Sequence, residues 1–501
     1  MTGPDPTSTL PPGFVVVLDE KTRVVDNGRA LLGGAPTTHL LRLTPRARAL
    51  FSGRTLRVRD AASAKLADRL LDLAIAHPLV GELPAHPDAR CTYVIPVHDR
   101  PGPLDRLLAS IGPSHQVIVV DDASTDRAGI AAVAARHGAR LLALPDNLGP
   151  AGARNAGLRE VRTPFVAFVD SDIVLAADTV PTLLRHFTDP RTAVAVPRIT
   201  GLHTASSQTW IGRFENARGS LDLGARPASV RPGSYVSWAS TACSVARVAA
   251  IGDGFDESMR VAEDVDFGWR AVAAGWRVRF EPSVAAAHEH RAAFGDWFVR
   301  KLQYGTGAHP LALRHPQSVA PAIVAPWSAA LTVALLAQRR WSLPVAAAIC
   351  GVTAVRIARK LDVEGSAGIA ARLTAGGAVG TLLQTGALVT RHWWPVTVAG
   401  CLVSRRVRRA AAVAAVADVV LEYANNHTIE LDPPRYWLAH RLDDVAYGAG
   451  VWLSALRGRS VAALLPQLRR SGTSRKPVAS RRNNASSSAL RSAVSSSSHS
   501  S

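Results

Sequence analysis

A chain of 501 residues exceeds what one hydrophobic core supports and implies two or three domains. With 47 % apolar and 19 % charged residues, it is not disordered throughout. The net charge of +19 would attract any phosphate-bearing partner, but the arginines are scattered through Ala- and Val-rich segments without interleaved stacking aromatics, which argues against nucleic acid.

Residues 1–12 are Pro- and Thr-rich, with no basic region leading into an apolar one. No secretory signal is therefore expected, and the catalytic part is expected to face the cytosol. Residues 14–19 (FVVVLD) read as a strand, and the basic, Leu-rich pattern after them reads as helical to about Val80. Residues 1–88 form a small domain, closed by a Pro-bearing stretch at 83–90. Cys91, Cys243, Cys350 and Cys401 lie far apart with no CxxC pair, which argues against a disulfide framework or a zinc site.

From 89 to 310, short apolar runs alternate with helical patterns: TYVIPV, QVIVVDD, ARLLALP, PFVAFVD and AVAVP, with a helix over 127–137. The pattern predicts an α/β domain with a mostly parallel sheet covered on both faces. Ligands are then expected beyond the carboxyl ends of the strands.

Within 311–468, residues 316–338 carry no formal charge over a length that can cross ~30 Å of hydrocarbon. Residues 373–390 form a second such run, whereas 341–355 is too short to span comfortably. A buried helical domain fits the same composition. Arg339, Arg340 and the RRVRR run at 405–409 flank these runs as anchors on an anionic membrane surface would, and equally as solvated helix ends would. Residues 469–501 are Ser- and Arg-rich and too poor in apolar groups to fold, so a disordered tail is expected.

The most specific chemical signal is Asp170-Ser171-Asp172, a D-x-D where the strand PFVAFV ends. Two carboxylates there can hold a hard divalent cation, which can in turn hold a diphosphate. Acidic pairs also cap helices and fill turns, so upstream elements matter. The strand containing Pro96 and Val97 is broken by its proline before His98, Asp99 and Arg100, and a ligand could meet the backbone there. The next strand ends in Asp121-Asp122 and a Ser/Thr-rich turn, which could offer a carboxylate to a base or simply start a capped helix. Residues 146–157 (DNLGPAGARNAG) combine glycines that permit close backbone approach with the cationic fork of Arg154.

In that order, these elements resemble family 2 glycosyltransferases of the GT-A fold, whose pattern runs P-x-Y-N, V-V-D-D-x-S-x-D, N-x-G, A-R-N-x-G, D-x-D and E-D. The first element departs from it, reading Pro96-Val97-His98-Asp99. The resemblance implies a UDP-sugar donor contacted through Pro96, Val97 and Asp99, with Asp122 facing uracil and Arg154 by the nucleotide. It further implies Asp170 and Asp172 on ribose and on a Mn²⁺ or Mg²⁺ diphosphate. Glu263-Asp264 matches the acceptor-side E-D, making Asp264 the base of an inverting transfer. In His288-Glu289-His290, relatives place a histidine beside the metal, and His288 is the favoured ligand.

Across most of the chain, the motifs Leu31-Leu32-Gly33-Gly34-Ala35-Pro36 and Leu40-Leu41-Arg42-Leu43-Thr44, together with this core, resemble the mycofactocin-system glycosyltransferases. That implies glucose transfer from UDP-glucose to a peptide-derived redox cofactor precursor, building a β-1,4 oligoglucoside, by an enzyme at the cell membrane. The first 80 residues also look like the small winged-helix modules that bind precursor peptides; a structural cap is the alternative. Rival expectations are a rhamnosyl- or galactofuranosyl-type envelope transferase and an inactive membrane-attached scaffold. A nucleotidyltransferase would need a Gly-rich loop with Lys at the first strand, which Pro96 to Arg100 does not provide.

Overall fold

The computed structural model describes residues 1–290, 292–425 and 430–468; the expected disordered tail lies outside the described residues. Near the N-terminus, strands Val15–Leu18, Phe51–Ser52, Thr55–Arg57 and Ala76–Pro78 form a four-stranded antiparallel sheet. Helix α1 (Ala61–Asp72) packs on it through Ala67, Leu70 and Leu71, and starts with a reciprocal Asp60–Ser63 capping box.

The Leu-rich stretch expected to be helical is largely strand, with Arg23–Val25, Ala30–Gly33 and His39–Arg42 forming a three-stranded sheet. The reason lies in the turn between the first two: Asp26, Asn27 and Gly28 all take positive φ, which folds the chain into a hairpin and overrides the local helical pattern.

Helix α1 is clamped onto the rest of the protein by charge. Asp68 and Asp72, one turn apart, both pair with Arg191 and with Arg277. Arg277 also meets the buried Asp189 at 3.0 Å.

The central sheet uses β1 (Cys91–Val97), β2 (Gln116–Asp121), β3 (Arg140–Ala143), β4 (Phe165–Val169), β5 (Ile173–Leu175), β6 (Thr192–Gly201), β7 (Cys243–Arg247) and β8 (Arg277–His288). Its order is β3-β2-β1-β4-β7-β6-β8-β5. The first four strands are parallel, β7 is inserted antiparallel, β6 and β8 are parallel to each other, and β5 returns antiparallel on β8. All five apolar runs picked out in the sequence are strands of this sheet. Every residue of β4 is buried, as a strand covered on both faces must be. Helix α2 (Gly149–Arg159) lies so close to β1 that a Cβ on Gly157 would come within 2.4 Å of Val94 Cγ1. Besides the helices at Pro101–Ile111, Arg127–Arg136 (the one expected over 127–137) and Thr179–Arg185, this part includes α3 (Trp210–Arg218), α4 (Glu263–Ala273) and α5 (Phe294–Thr306).

After a short helix at Ala308–Arg314 come the longer helices α6 (Pro326–Leu336), α7 (Ser342–Leu361), α8 (Ser366–Ala387), α9 (Trp394–Val403), α10 (Arg405–Asn425) and α11 (Pro433–Arg457). Residues 316–338 do not make one continuous span. Ile323–Val324 pairs with Gln467–Leu468, and α6 has 11 residues, about 16 Å at 1.5 Å per residue. The segment at 341–355, read as too short, instead extends into α7. Among the described residues, α7 alone combines sufficient length and apolarity to cross a bilayer, with mean hydropathy 1.4 and 11 % of its most apolar window buried. Neighbouring helices share this outward apolarity: Val379, Leu382 and Leu383 of α8 are exposed, and Leu402 and Val403 at the end of α9 are 80 % and 87 % exposed.

Candidate active site

Beyond the carboxyl ends of the strands lies a cavity of 1410 Å³, walled by the sheet on one side and by α5, α8 and α11 on the other. Arg154, Asp170, Asp172, Asp264 and His288 all line it, so residues 134 positions apart in sequence share one chamber. Each arrives by a different local device.

Chain geometry at the end of β4 sets the D-x-D. The Asp170 amide donates to the Ala242 carbonyl at 2.8 Å, and Ile173 closes back on the Asp170 carbonyl at 3.1 Å, so the chain turns sharply between β4 and β5. In the antiparallel β5–β8 pairing, Ile173 stands opposite His288. That register brings His288 Nε2 to 3.6 Å from Asp172 Oδ1, a contact no local sequence feature encodes. His290, two residues on, is half-buried, and desolvation together with neighbouring His288 pushes its pKa down to about 4.

Arg154 reaches the chamber from α2. It donates to Asp170 at 2.6 Å and to Glu263 at 2.9 Å with its side chain 4 % exposed. Burial opposes its charge, but the two carboxylates outweigh burial and raise its pKa. Asp264 stands in the first turn of α4, behind Ala262, which adopts a left-handed φ of +65°. Burial first, and the neighbouring Glu263 carboxylate second, raise the Asp264 pKa above the ordinary carboxylate range, with Arg154 pulling the other way.

The remaining predicted residues do not line this chamber; they lie at the carboxyl ends of β1 and β2. Asp99, at a φ of +53°, accepts hydrogen bonds from the Thr125 and Asp126 amides. Asp122 is buried and accepts from the Leu148 and Gly149 amides at 2.7 and 2.9 Å, one on each carboxylate oxygen, so it fixes the entry to α2. Pro96 and Val97 close β1, and the Val97 carbonyl accepts from the Asp122 amide at 2.9 Å.

Three charged residues not singled out from sequence also enter the site. Glu263 forms the far anchor of Arg154, and the family's E-D element is the signal that could have found it. Arg100 donates to Asp172 Oδ2 at 2.5 Å, and Glu289 is held by Arg106 at 2.5 Å. No sequence pattern indicates those contacts, because they depend on how β1 and β8 converge.

At the far wall, Lys301 of α5 bridges Glu215 of α3 at 2.7 Å and Asp443 of α11 at 3.1 Å, and Asp443 also takes Arg391 at 2.6 Å. These cations hold the Asp443 carboxyl below its usual range against burial. Among the described residues, one group of three histidine or carboxylate side chains has ligand atoms within 4.8 Å of one another: Asp418, His440 and Asp444. Arg441 already occupies that position, pairing with Asp418 at 2.6 Å and Asp444 at 3.1 Å. Asp170, Asp172 and His288 are spaced more loosely, and both aspartates take an arginine instead.

Residues 92–229 match glycosyl transferase family 2, and residues 165–358 match glycosyl transferase family group 2. The chain is 39 % identical over 469 residues to the pre-mycofactocin glycosyltransferase of Mycobacterium tuberculosis, covering 92 % of this chain and 99 % of that protein. It is 21 % identical over 217 residues to the poly-β-1,6-N-acetyl-D-glucosamine synthase of Staphylococcus aureus, covering 42 % of this chain and 52 % of that one. Among solved structures, the mannosyltransferase PcManGT from Pyrobaculum calidifontis, in complex with GDP-Man and Mn²⁺, aligns over 68 % of this chain and 90 % of its own, at 19 % identity and a TM-score of 0.35. The chain belongs to glycosyltransferase family 2. It is an enzyme of that class, with a GT-A core and a helical C-terminal region.

Proposed function

We infer that the chain is an inverting, metal-dependent hexosyltransferase that moves glucose from UDP-glucose onto the peptide-derived precursor of mycofactocin, building a β-1,4 oligoglucoside. The observation that carries this reading is the gathering of Asp170, Asp172, His288 and Asp264 on one cavity. Near-full-length similarity to the M. tuberculosis protein supports the acceptor.

Carboxylate oxygens beside an imidazole, with Asp172 and His288 already 3.6 Å apart, are a donor set suited to Mn²⁺ or Mg²⁺. A bound cation there would offset the charge developing on the leaving diphosphate. The protein's own groups do the rest. Arg154, fixed between Asp170 and Glu263, keeps a cationic fork on the donor side. Asp264 takes the proton of the acceptor hydroxyl as that oxygen bonds to the anomeric carbon. The bond from that carbon to the UDP oxygen breaks on the opposite face, its electron pair leaves with UDP, and configuration inverts.

We place the enzyme at the cytosolic face of the cell membrane. Apolar α7 and the exposed Leu402 and Val403 support this, as do Arg339, Arg340, Arg405 and Arg406, which would meet anionic headgroups.

The test is mass spectrometry of the acceptor after incubation of the full chain with UDP-glucose and Mn²⁺, alongside Asp172→Ala and Asp264→Asn. Hexose additions that vanish in both variants support the assignment. Addition from dTDP-rhamnose or UDP-galactofuranose, and none from UDP-glucose, would replace the donor.

A further inference from the structure

Each carboxylate of the D-x-D carries an arginine, and the two arginines are held differently. Arg154 is fixed at both ends, by Asp170 and Glu263, with its side chain 4 % exposed. Arg100 is 33 % exposed; its one close contact with a carboxylate is Asp172 at 2.5 Å, and its next is 3.8 Å away, at Glu289. Glu289 is itself pinned by Arg106 at 2.5 Å and donates its backbone amide to the Asp172 carbonyl at 3.0 Å. Arg100's main chain, by contrast, is fixed. The amide of its neighbour Asp99 donates to Ser124 Oγ at 2.9 Å, and the Asp99 carboxylate accepts from the Thr125 amide at 2.6 Å. The guanidinium is thus a tethered cation on the carboxylate that faces His288.

The geometry points to Arg100 as a resident counter-ion that competes with the divalent cation for Asp172 and, once displaced, pairs with the donor diphosphate. This rests on the metal-dependent reading given above. An unpaired, mostly buried aspartate is costly, so a cation that can leave keeps the empty site stable without closing it. A guanidinium matches phosphate oxygens as well as carboxylate oxygens, so a diphosphate bound beside the cation would give the displaced fork a second partner. Metal alone must break the Arg100–Asp172 pair and leave the arginine only Glu289, which Arg106 already holds, whereas metal arriving with a nucleoside diphosphate supplies a fresh anionic partner. The consequence is ordered loading: the bare cation binds weakly, and the cation with diphosphate binds well. Arg100 acts here as a donor-binding residue.

The test is calorimetric titration of the full-length, detergent-solubilised chain with Mn²⁺ alone and then with UDP at saturating Mn²⁺, for wild type, Arg100→Gln, Arg100→Lys and Asp172→Asn. Arg100→Gln should bind Mn²⁺ alone about five- to tenfold more tightly, since one partly exposed ion pair no longer opposes it, while binding UDP-Mn²⁺ several-fold more weakly. Arg100→Lys should shift both affinities in the same directions by smaller factors, and it serves if the glutamine variant does not fold. A merely structural role would weaken both titrations together. Unchanged or weaker Mn²⁺ binding in the arginine variants, with binding abolished in Asp172→Asn, overturns the proposal and leaves the metal reading intact. Mn²⁺ binding that survives in Asp172→Asn overturns the metal reading itself.

Discussion

Arg154 and Asp170 are joined by a 2.6 Å ion pair that ties the helix after β3 to the turn after β4, and the guanidinium is 4 % exposed. The same side chain reaches Glu263, so one arginine links the turn after β4 to the first turn of α4.

Arg154→Ala should therefore act on stability as well as on rate. It leaves Asp170 and the nearly buried Glu263 without their cation, a loss of about 3 kcal/mol, read as a lower urea midpoint. Arg154→Lys should recover part of that stability but little activity, because a point charge cannot serve two carboxylates as a fork does.

Asp264 must be ionised to accept a proton, and its pKa is raised by burial and by Glu263, so kcat/KM should fall as pH drops through that raised value. Because the folded state holds this proton more tightly than the unfolded chain does, the group's contribution to stability is complete below the ordinary carboxylate pKa and is lost as pH rises through the folded value. Asp264→Asn should lower the rate by about a thousandfold yet melt above wild type at neutral pH. A lower melting midpoint would mean that Asp264 is ionised and paired in the folded enzyme.

Asp122 accepts one backbone amide on each carboxylate oxygen. In Asp122→Asn an NH₂ group would face one of those amides, and about 1–3 kcal/mol should be lost through the leftover buried donors. Donor affinity should fall with it, since the same loop leads into the helix carrying Arg154; thermal melts with and without UDP check both effects.

The N-terminal module is docked by Asp68 and Asp72 against Arg191 and Arg277. Asp68→Asn combined with Asp72→Asn should loosen that contact and expose the linker around residue 85 to limited proteolysis while the catalytic sheet stays folded. Asp189→Ala should be far worse, because Asp189 is buried beneath Arg277 and Arg279: its loss takes the ion-pair partner of the buried Arg279 and one of the three carboxylates on Arg277.

If α7 crosses the bilayer, alkaline carbonate should leave the protein in the membrane pellet. Release into the supernatant would mean that α7 and the exposed valines and leucines beside it only rest on the surface.

The sequence by itself determined the chemistry available and the class of enzyme. Apolar runs of four to seven residues ending in Asp121-Asp122 and in Asp170-Ser171-Asp172 identify buried strands with acidic carboxyl ends, because burial on both faces needs continuous apolarity and a ligand site needs polar groups where the strands stop. Local pattern failed where long-range pairing decides. The N-terminal hairpins read as helix until three consecutive positive-φ residues turned the chain, and the antiparallel insertion of β7 leaves no periodic mark of its own. Hydropathy placed the apolar helices in the right region but at the wrong segment, since α7 draws on residues beyond the charge-free window. Only the tertiary structure decided the partners: the register of β5 on β8 that sets His288 beside Asp172, and the convergence that puts Arg100 on one aspartate and Arg154 on the other. Those are distances between residues up to 116 positions apart, which electrostatics rewards only after the sheet has assembled.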